Sequence, residues 1–329
     1  MDKLLIVKLD AIGDVLRTTS ILPGVADKYR PAQIDWITSE ISSELLEGNP
    51  YLGRVFIWGK HDKATDYDLV IGLEDEREIC RFVAGVGAGK IIGAYLANGK
   101  IIYTPSSWFD MSLISKYGLE KANELKKLNQ KTFQQHMAEL LDIQASAYVF
   151  KLSPEEIEYG KKVVKDLGIS SGDKVVGINT GAGKRWPQKS WGVERTIELI
   201  NRMKKEVGAV SIILGGSDER ERNKIISSET GMPDAGIHSL RGFASIINQC
   251  RAVLSSDSLA LHFTIALRRR VVAFFGPTSA AEIELYGLGE KLSAPIDCAV
   301  CYKKSCEVKP NCMDYLSVDE VFTAVKRQV

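Results

Sequence analysis

The first group with a chemical reading is a carboxylate that follows a short hydrophobic run, in Asp10-Ala11-Ile12-Gly13-Asp14-Val15-Leu16-Arg17-Thr18-Thr19. Gly13 lets the chain turn sharply out of that run, which places Asp14 at the start of the next helix. There it reads in two ways. It is a helix N-cap, the position Asp favours, or it is a general base that takes a proton from an attacking hydroxyl, kept ionised by the helix N-terminus. Arg17, one turn further on, could hold an anionic acceptor. A second segment, Gly177-Ile178-Asn179-Thr180-Gly181-Ala182-Gly183-Lys184-Arg185-Trp186-Pro187-Gln188-Lys189-Ser190-Trp191, ends a hydrophobic run in a glycine-rich loop with a hydroxyl and three cations. Small residues let backbone N–H groups approach phosphate closely, and Lys or Arg neutralises a diphosphate leaving group.

Two further segments repeat the arrangement. Leu214-Gly215-Gly216-Ser217-Asp218-Glu219-Arg220 offers Glu219, either as an acceptor for the two hydroxyls of a ribose or as a surface acid favoured by the helix dipole. Ser255-Ser256-Asp257-Ser258-Leu259-Ala260-Leu261-His262 places Asp257 and Ser258 at a strand-to-helix junction, suited to the phosphate side of a nucleotide donor. His262 follows by one turn and reads as part of that site or as a buried core residue. The loop at 177–191 is not a Walker A loop, and no Gly-x-Gly-x-x-Gly fingerprint follows the first strand of either half, which argues against a dinucleotide-dependent oxidoreductase. Gly85-Val86-Gly87-Ala88-Gly89-Lys90 leads into a strand rather than a helix and reads as a turn.

These loops need strands to carry them. Short β-branched runs alternate with helical stretches along the whole chain, the pattern of parallel sheets with crossover helices. The first half predicts strands at Leu4–Lys8, Gln33–Ile37, Arg54–Trp58, Leu69–Gly72 and Lys90–Tyr95. It also predicts a helix over Asp14–Lys28 that Pro23 kinks or breaks, and an irregular, then helical stretch over 106–142. The second half predicts strands at Val175–Asn179, Val210–Leu214, Ala252–Ser255 and Val271–Phe275. Ser153-Pro154-Glu155-Glu156 is a helix start with Pro in the first turn, in the connector between halves. The fold class is therefore α/β, with two Rossmann-like domains, 1–155 and 156–329, facing across a cleft. Ligands of such sheets bind at the carboxyl ends of the strands.

Composition narrows the partners. The 329 residues carry a formal net charge of +1 with 26% charged and 45% hydrophobic residues, so no global field recruits nucleic acid. Arg268-Arg269-Arg270 and Lys303-Lys304 read as solvated surface. The first residues lack the pattern of a signal peptide, and no run reaches the ~18–20 apolar residues a spanning helix needs. A cytoplasmic protein with peripheral inner-membrane contact is expected. Of six cysteines, Cys80 and Cys250 read as isolated buried thiols. Cys298-x2-Cys301-x4-Cys306-x5-Cys312 could bind zinc or an iron–sulfur cluster, or could be held by packing alone.

Together the four loops resemble those of the ADP-heptose:lipopolysaccharide heptosyltransferases, glycosyltransferase family 9. The matching pieces are Gly13-Asp14-Val15-Leu16-Arg17-Thr18-Thr19, Asn179-Thr180-Gly181-Ala182-Gly183 with Lys189 and Trp191, Gly215-Gly216 with Glu219, Asp257-Ser258 with His262, and Phe275-Gly276-Pro277-Thr278. The resemblance implies a GT-B fold and an inverting transfer without metal or other cofactor. The donor would be a nucleotide-sugar, and the acceptor a saccharide or lipid-linked saccharide. It makes Asp14 the base, sets Thr180, Gly181 and Lys189 on the donor diphosphate and Glu219 on the ribose, and groups Asp257, Ser258 and His262 around the donor. The sequence departs from the family at Leu259, where many members have Gly, and at Arg268-Arg269-Arg270. The alternatives are a nonhydrolysing nucleotide-sugar epimerase and a non-catalytic nucleotide-sugar-binding protein.

Overall fold

The computed structural model describes residues 2–60, 65–112, 114–184, 186–303 and 305–329. Arg185 and Lys304, two of the cations singled out above, lie outside these residues. The chain forms two compact units, one of Met1–Lys151 with Ala281–Glu284 and the other of Leu152–Ala280 with Leu285–Val329. The change of unit after Lys151 precedes the expected boundary at 155, which falls inside a helix. The return of Ala281–Glu284 to the first unit has no counterpart in the sequence reading.

In the first unit, β1 (Lys3–Val7), β2 (Gln33–Thr38), β3 (Arg54–Ile57), β4 (Leu69–Gly72), β5 (Lys90–Ala97) and β6 (Lys100–Tyr103) form one sheet in the order β3-β2-β1-β4-β5-β6. Pairing is parallel except for the β5–β6 hairpin. Leu4, Leu5, Ile6 and Val7 are wholly buried, as expected of a central parallel strand covered on both faces. Gly93 is required: at φ +115° a Cβ there would meet the Gly72 carbonyl oxygen at 1.9 Å.

The helices of this unit are α1 (Ile12–Thr18), α2 (Leu22–Tyr29), α3 (Glu40–Ser43), α4 (Arg77–Gly85), α5 (Ser107–Ser112), α6 (Ile114–Tyr117), α7 (Leu119–Leu128) and α8 (Phe133–Leu141). The single helix expected over Asp14–Lys28 is divided by a 3-10 turn, Thr19–Ile21. Pro23 explains the break, since it has no N–H to give the carbonyl four residues back. The stretch expected to begin irregularly is already helical at Ser107–Ser112. Thr132 caps α8 in a reciprocal arrangement with Gln135.

The second unit begins with α9 (Pro154–Asp166), capped by Ser153 and Glu156. Its parallel sheet has the order β11-β10-β9-β7-β8, from β7 (Lys174–Asn179), β8 (Ala209–Leu214), β9 (Ala252–Ser256), β10 (Arg270–Phe275) and β11 (Gly289–Ser293). The helices are α10 (Val193–Arg202), α11 (Arg220–Thr230), α12 (Leu240–Ile247), α13 (Leu259–Ala266) and α14 (Val318–Gln328). Its core joins Val176 and Ile178 of β7, Leu199 of α10 and Val321 and Phe322 of α14. Among the described residues, no helix is long and apolar enough to cross a membrane.

Candidate functional site

The carboxyl ends of β7, β8 and β9 all lie at one edge of the second sheet, because the strands are parallel. The loops leaving them enclose a pocket of about 290 Å³ lined by Gly181, Gly183, Gly216, Glu219 and Ser258, with Ile237, Leu240 and Phe243 on an apolar wall. Glu219 binds the glycine loops to one another. Its Oε1 accepts from the Gly183 N–H at 3.0 Å and its Oε2 from the Gly216 N–H at 2.9 Å. A Cβ on residue 181 would stand 2.3 Å from Glu219 Oε1, so glycine there is what permits the grip.

Behind the pocket lies a layer of buried polar groups. Thr180 is 5% exposed, and its hydroxyl donates to Asn223 Oδ1 at 2.5 Å rather than lining the pocket. Lys189, 8% exposed, donates to Asp257 Oδ2 at 2.7 Å and to the Asp257 carbonyl at 3.0 Å. Burial alone would raise the Asp257 carboxyl, but Lys189 and then His262 outweigh it and bring it down to about 2. His262 is buried in α13. Of the expected donor contacts, Gly181, Glu219 and Ser258 face the pocket, whereas Thr180, Lys189, Asp257 and His262 lie outside its lining.

Asn179 belongs to the loop quoted above but is given no role there. Its amide donates to the Gly181 carbonyl at 2.7 Å and to the Ser255 and Ser258 hydroxyls, each at 3.2 Å, which ties the β7 loop to the β9 loop. The one signal for it was a polar side chain ending a hydrophobic strand beside glycines.

In the first unit, Asp14 is the third residue of α1. The cap position belongs to Ala11, with no side-chain cap bond, so the capping role considered for Asp14 is not the one it plays. Its carboxylate is 37% exposed and lies 3.0 Å from Arg17 Nη2. Arg17 differs from expectation. It is 7% exposed, with its guanidinium carbon 4.3 Å from the Phe133 ring centre and 5.1 Å from that of Trp108. Its Nη1 lies 3.8 Å from Glu282 Oε2, which the four-residue return of the chain delivers to this unit. The guanidinium is sheathed by two rings and faces two carboxylates, so it is held beside Asp14.

Glu74, absent from the sequence reading, organises the loop before α1. It is buried, pairs with Lys8 at 2.8 Å and accepts from the Leu9 and Asp10 N–H groups at 2.6 and 3.0 Å. Burial raises its carboxyl above the usual range despite Lys8. Phe109 and Met111 of α5 are core residues at 0% and 2% exposure.

The wall behind Arg17 includes His136, whose Nε2 donates to Asn129 Oδ1 at 2.9 Å while Nδ1 accepts from the Ser107 hydroxyl at 3.0 Å. Burial, reinforced by Lys131, lowers this imidazole from 6.5 to about 4. Between those values the unfolded chain binds the proton and the folded one refuses it. Stability therefore falls as pH falls from about 6.5 to 4. Melting temperatures measured across this range should drop less steeply for His136→Gln than for the wild type, and parallel curves would refute the assignment.

All six cysteines are free thiols, with Cys80, Cys250 and Cys312 buried and Cys298 and Cys306 exposed. Burial and neighbouring thiols push the Cys312 thiol up to about 11. Among the described residues, no three His, Cys, Asp or Glu side chains are grouped as metal ligands.

Two α/β units of this kind define the GT-B class of glycosyltransferase folds, and solved structures agree. The chain superposes with a TM-score of 0.79 on a family 9 glycosyl transferase from Veillonella parvula, at 17% identity, covering 99% of this chain and 97% of that one. It superposes with a TM-score of 0.68 on the Escherichia coli ADP-heptose LPS heptosyltransferase II, at 16% identity, covering 100% and 98%. Lipopolysaccharide heptosyltransferase 1 of Pseudomonas aeruginosa is 25% identical over 335 aligned residues, 94% of this chain and 88% of that protein. The profile of glycosyltransferase family 9 (heptosyltransferase) matches residues 58–311. The chain belongs to that family and is a glycosyltransferase.

Proposed function

We propose that this glycosyltransferase moves a heptose from an ADP-heptose-like donor to a saccharide or lipid-linked saccharide of a lipopolysaccharide core, with inversion and without a metal. The observation that carries the reading is the pocket of the second unit, in which Glu219 holds two glycine loops together next to the N-terminus of α13. Backbone N–H groups of the loops and the helix terminus suit a diphosphate, and the Glu219 carboxylate suits a ribose diol. The second unit then takes the nucleotide-sugar and the first the acceptor. A lipid-linked acceptor would bring the enzyme to the cytoplasmic face of the inner membrane.

In the reaction, Asp14 takes the proton of an acceptor hydroxyl, whose oxygen bonds to the anomeric carbon as the bond to the donor phosphate breaks. The diphosphate leaves with both electrons. Its charge is received by the loop N–H groups, the α13 N-terminus and Lys189. Attack opposite the leaving group inverts the anomeric centre.

The test is a transfer assay with ADP-heptose and a heptose-free core acceptor, with and without EDTA, followed by NMR of the product. ADP release should require the acceptor, ignore EDTA and give the inverted anomer. Donor turnover without acceptor would instead indicate an epimerase or hydrolase, and loss of activity to EDTA with rescue by Mg²⁺ would overturn metal independence.

A further inference from the structure

The connector helix α9 reaches the same pocket from outside. It is fastened to α12 and to the loop that opens it at three points. Near its start, Glu156 Oε2 accepts from Arg241 Nη2 at 2.8 Å, and Arg241 holds the Glu156 carboxyl below its usual range. One turn on, Gly160 lies so close to α12 that a Cβ would stand 2.2 Å from the Ser245 carbonyl oxygen. Between them, the Tyr159 hydroxyl lies 2.8 Å from His238 Nδ1. The second ring nitrogen of His238 is 2.6 Å from the Ala235 carbonyl. A carbonyl only accepts, so Nε2 carries the proton and Nδ1 receives the tyrosine's hydrogen. The imidazole is thus pinned at both ends.

What it pins is the wall of the pocket. His238 stands between Ile237 and Ser239 in the loop that opens α12, and Ile237, His238, Ser239 and Leu240 all face the pocket. Ile237 is 50% exposed, an apolar side chain left uncovered beside the glycine loops. Gly242, held under the Ser239 cap, has the Tyr159 ring 3.2 Å from where a Cβ would be, so the tyrosine packs directly on the start of α12. The two ends of the pocket differ in chemistry. The glycine loops and Ser258 suit phosphate, Glu219 suits the ribose, and the surface of Ile237, Leu240 and Phe243 suits the flat face of a base.

We propose that Tyr159 is a specificity-determining positioning residue for the nucleoside end of the donor. Acting through His238, it sets the wall on which the base lies. This rests on the reading of the pocket as a nucleotide site. Binding of the diphosphate end, carried by other loops, does not depend on it.

The experiment titrates the full-length chain with ADP and, separately, with inorganic diphosphate by calorimetry. Tyr159→Phe keeps the ring and its packing but removes the hydroxyl. It should weaken ADP roughly five- to tenfold, the effect of one net hydrogen bond, and leave diphosphate unchanged. His238→Ala should weaken ADP at least as much, and the double variant should be no weaker than His238→Ala alone. His238→Gln, whose amide can both donate and accept, should recover most of the loss. In turnover, the donor KM should rise in Tyr159→Phe while kcat holds. Wild-type ADP affinity in Tyr159→Phe, equal losses for ADP and diphosphate, or multiplicative losses in the double variant would each overturn the proposal. Wild-type protein that binds diphosphate but not ADP would sink the nucleotide reading itself, and the role of Tyr159 with it.

Discussion

Asp14→Asn is expected to lower sugar transfer about 10²–10⁴-fold, the usual cost of losing a general base. The substitution is close to isosteric. Asp14 is not the cap of α1, and its N–H reaches the Ala11 carbonyl at 2.8 Å through the backbone, so the helix start should survive. An asparagine oxygen can also keep the contact with Arg17, which stands 3.0 Å from the carboxylate. What is lost is the ability to take a proton and one of the two negative charges facing Arg17, the other staying on Glu282. The loss should therefore fall on kcat, with ADP affinity and melting temperature close to those of the wild type. Single-turnover rates with saturating donor and acceptor would measure it, and a variant that transfers at near wild-type rate would remove Asp14 from the mechanism.

The contrast between Asp14 and Arg17 shows what a sequence of this kind yields. Central parallel strands are covered on both faces and read as unbroken apolar runs, which is why Leu4–Val7, Val175–Ile178 and Val271–Phe275 were legible. The edge strands β6 and β11 were not. Gly289-Glu290-Lys291-Leu292-Ser293 is half-exposed and carries no apolar run. It pairs with β10 because Gly289 lets the chains meet, a Cβ there standing 1.7 Å from the Val271 carbonyl oxygen. Helix α14 did carry a signal, Ser317 followed by Val321, Phe322, Ala324 and Val325 on one face, and it went unassigned.

The candidate site residues were picked out by type and by place at strand ends. The direction of each side chain was not legible, because that is decided by partners far away in the chain. Thr180 turns to Asn223 and not to the pocket. Arg17 is enclosed by Trp108 and Phe133, with Glu282 arriving from beyond β10. Tyr159 and His238 become one unit only when α9 lies on α12. No local pattern encodes these meetings.

Lys189 carries the second large effect, and it divides into two parts. Its ammonium and the Asp257 carboxylate form a pair whose side chains are only 10% and 21% exposed. Removing one partner of such a pair leaves the other charge buried alone, at a cost of about 3–5 kcal/mol. Lys189→Met should therefore lower the melting temperature markedly as well as abolish most transfer. A proposed role on the donor diphosphate cannot be read from that variant alone. Lys189→Met combined with Asp257→Asn removes both charges and should restore most of the stability. It does not restore the positive charge for the leaving group, so transfer should stay about 10²–10³-fold down, as when a single stabilising donor is lost elsewhere. The acid side offers an independent check on the pair. Asp257 titrates near 2 in the folded protein against 3.8 as the ordinary value, so its contribution is present above about pH 4 and is lost as pH falls toward 2. Asp257→Asn should lack that component of acid unfolding. A double variant that regains both stability and transfer would show Lys189 to be a structural counter-ion, with the leaving group stabilised by the glycine loops and the α13 N-terminus alone.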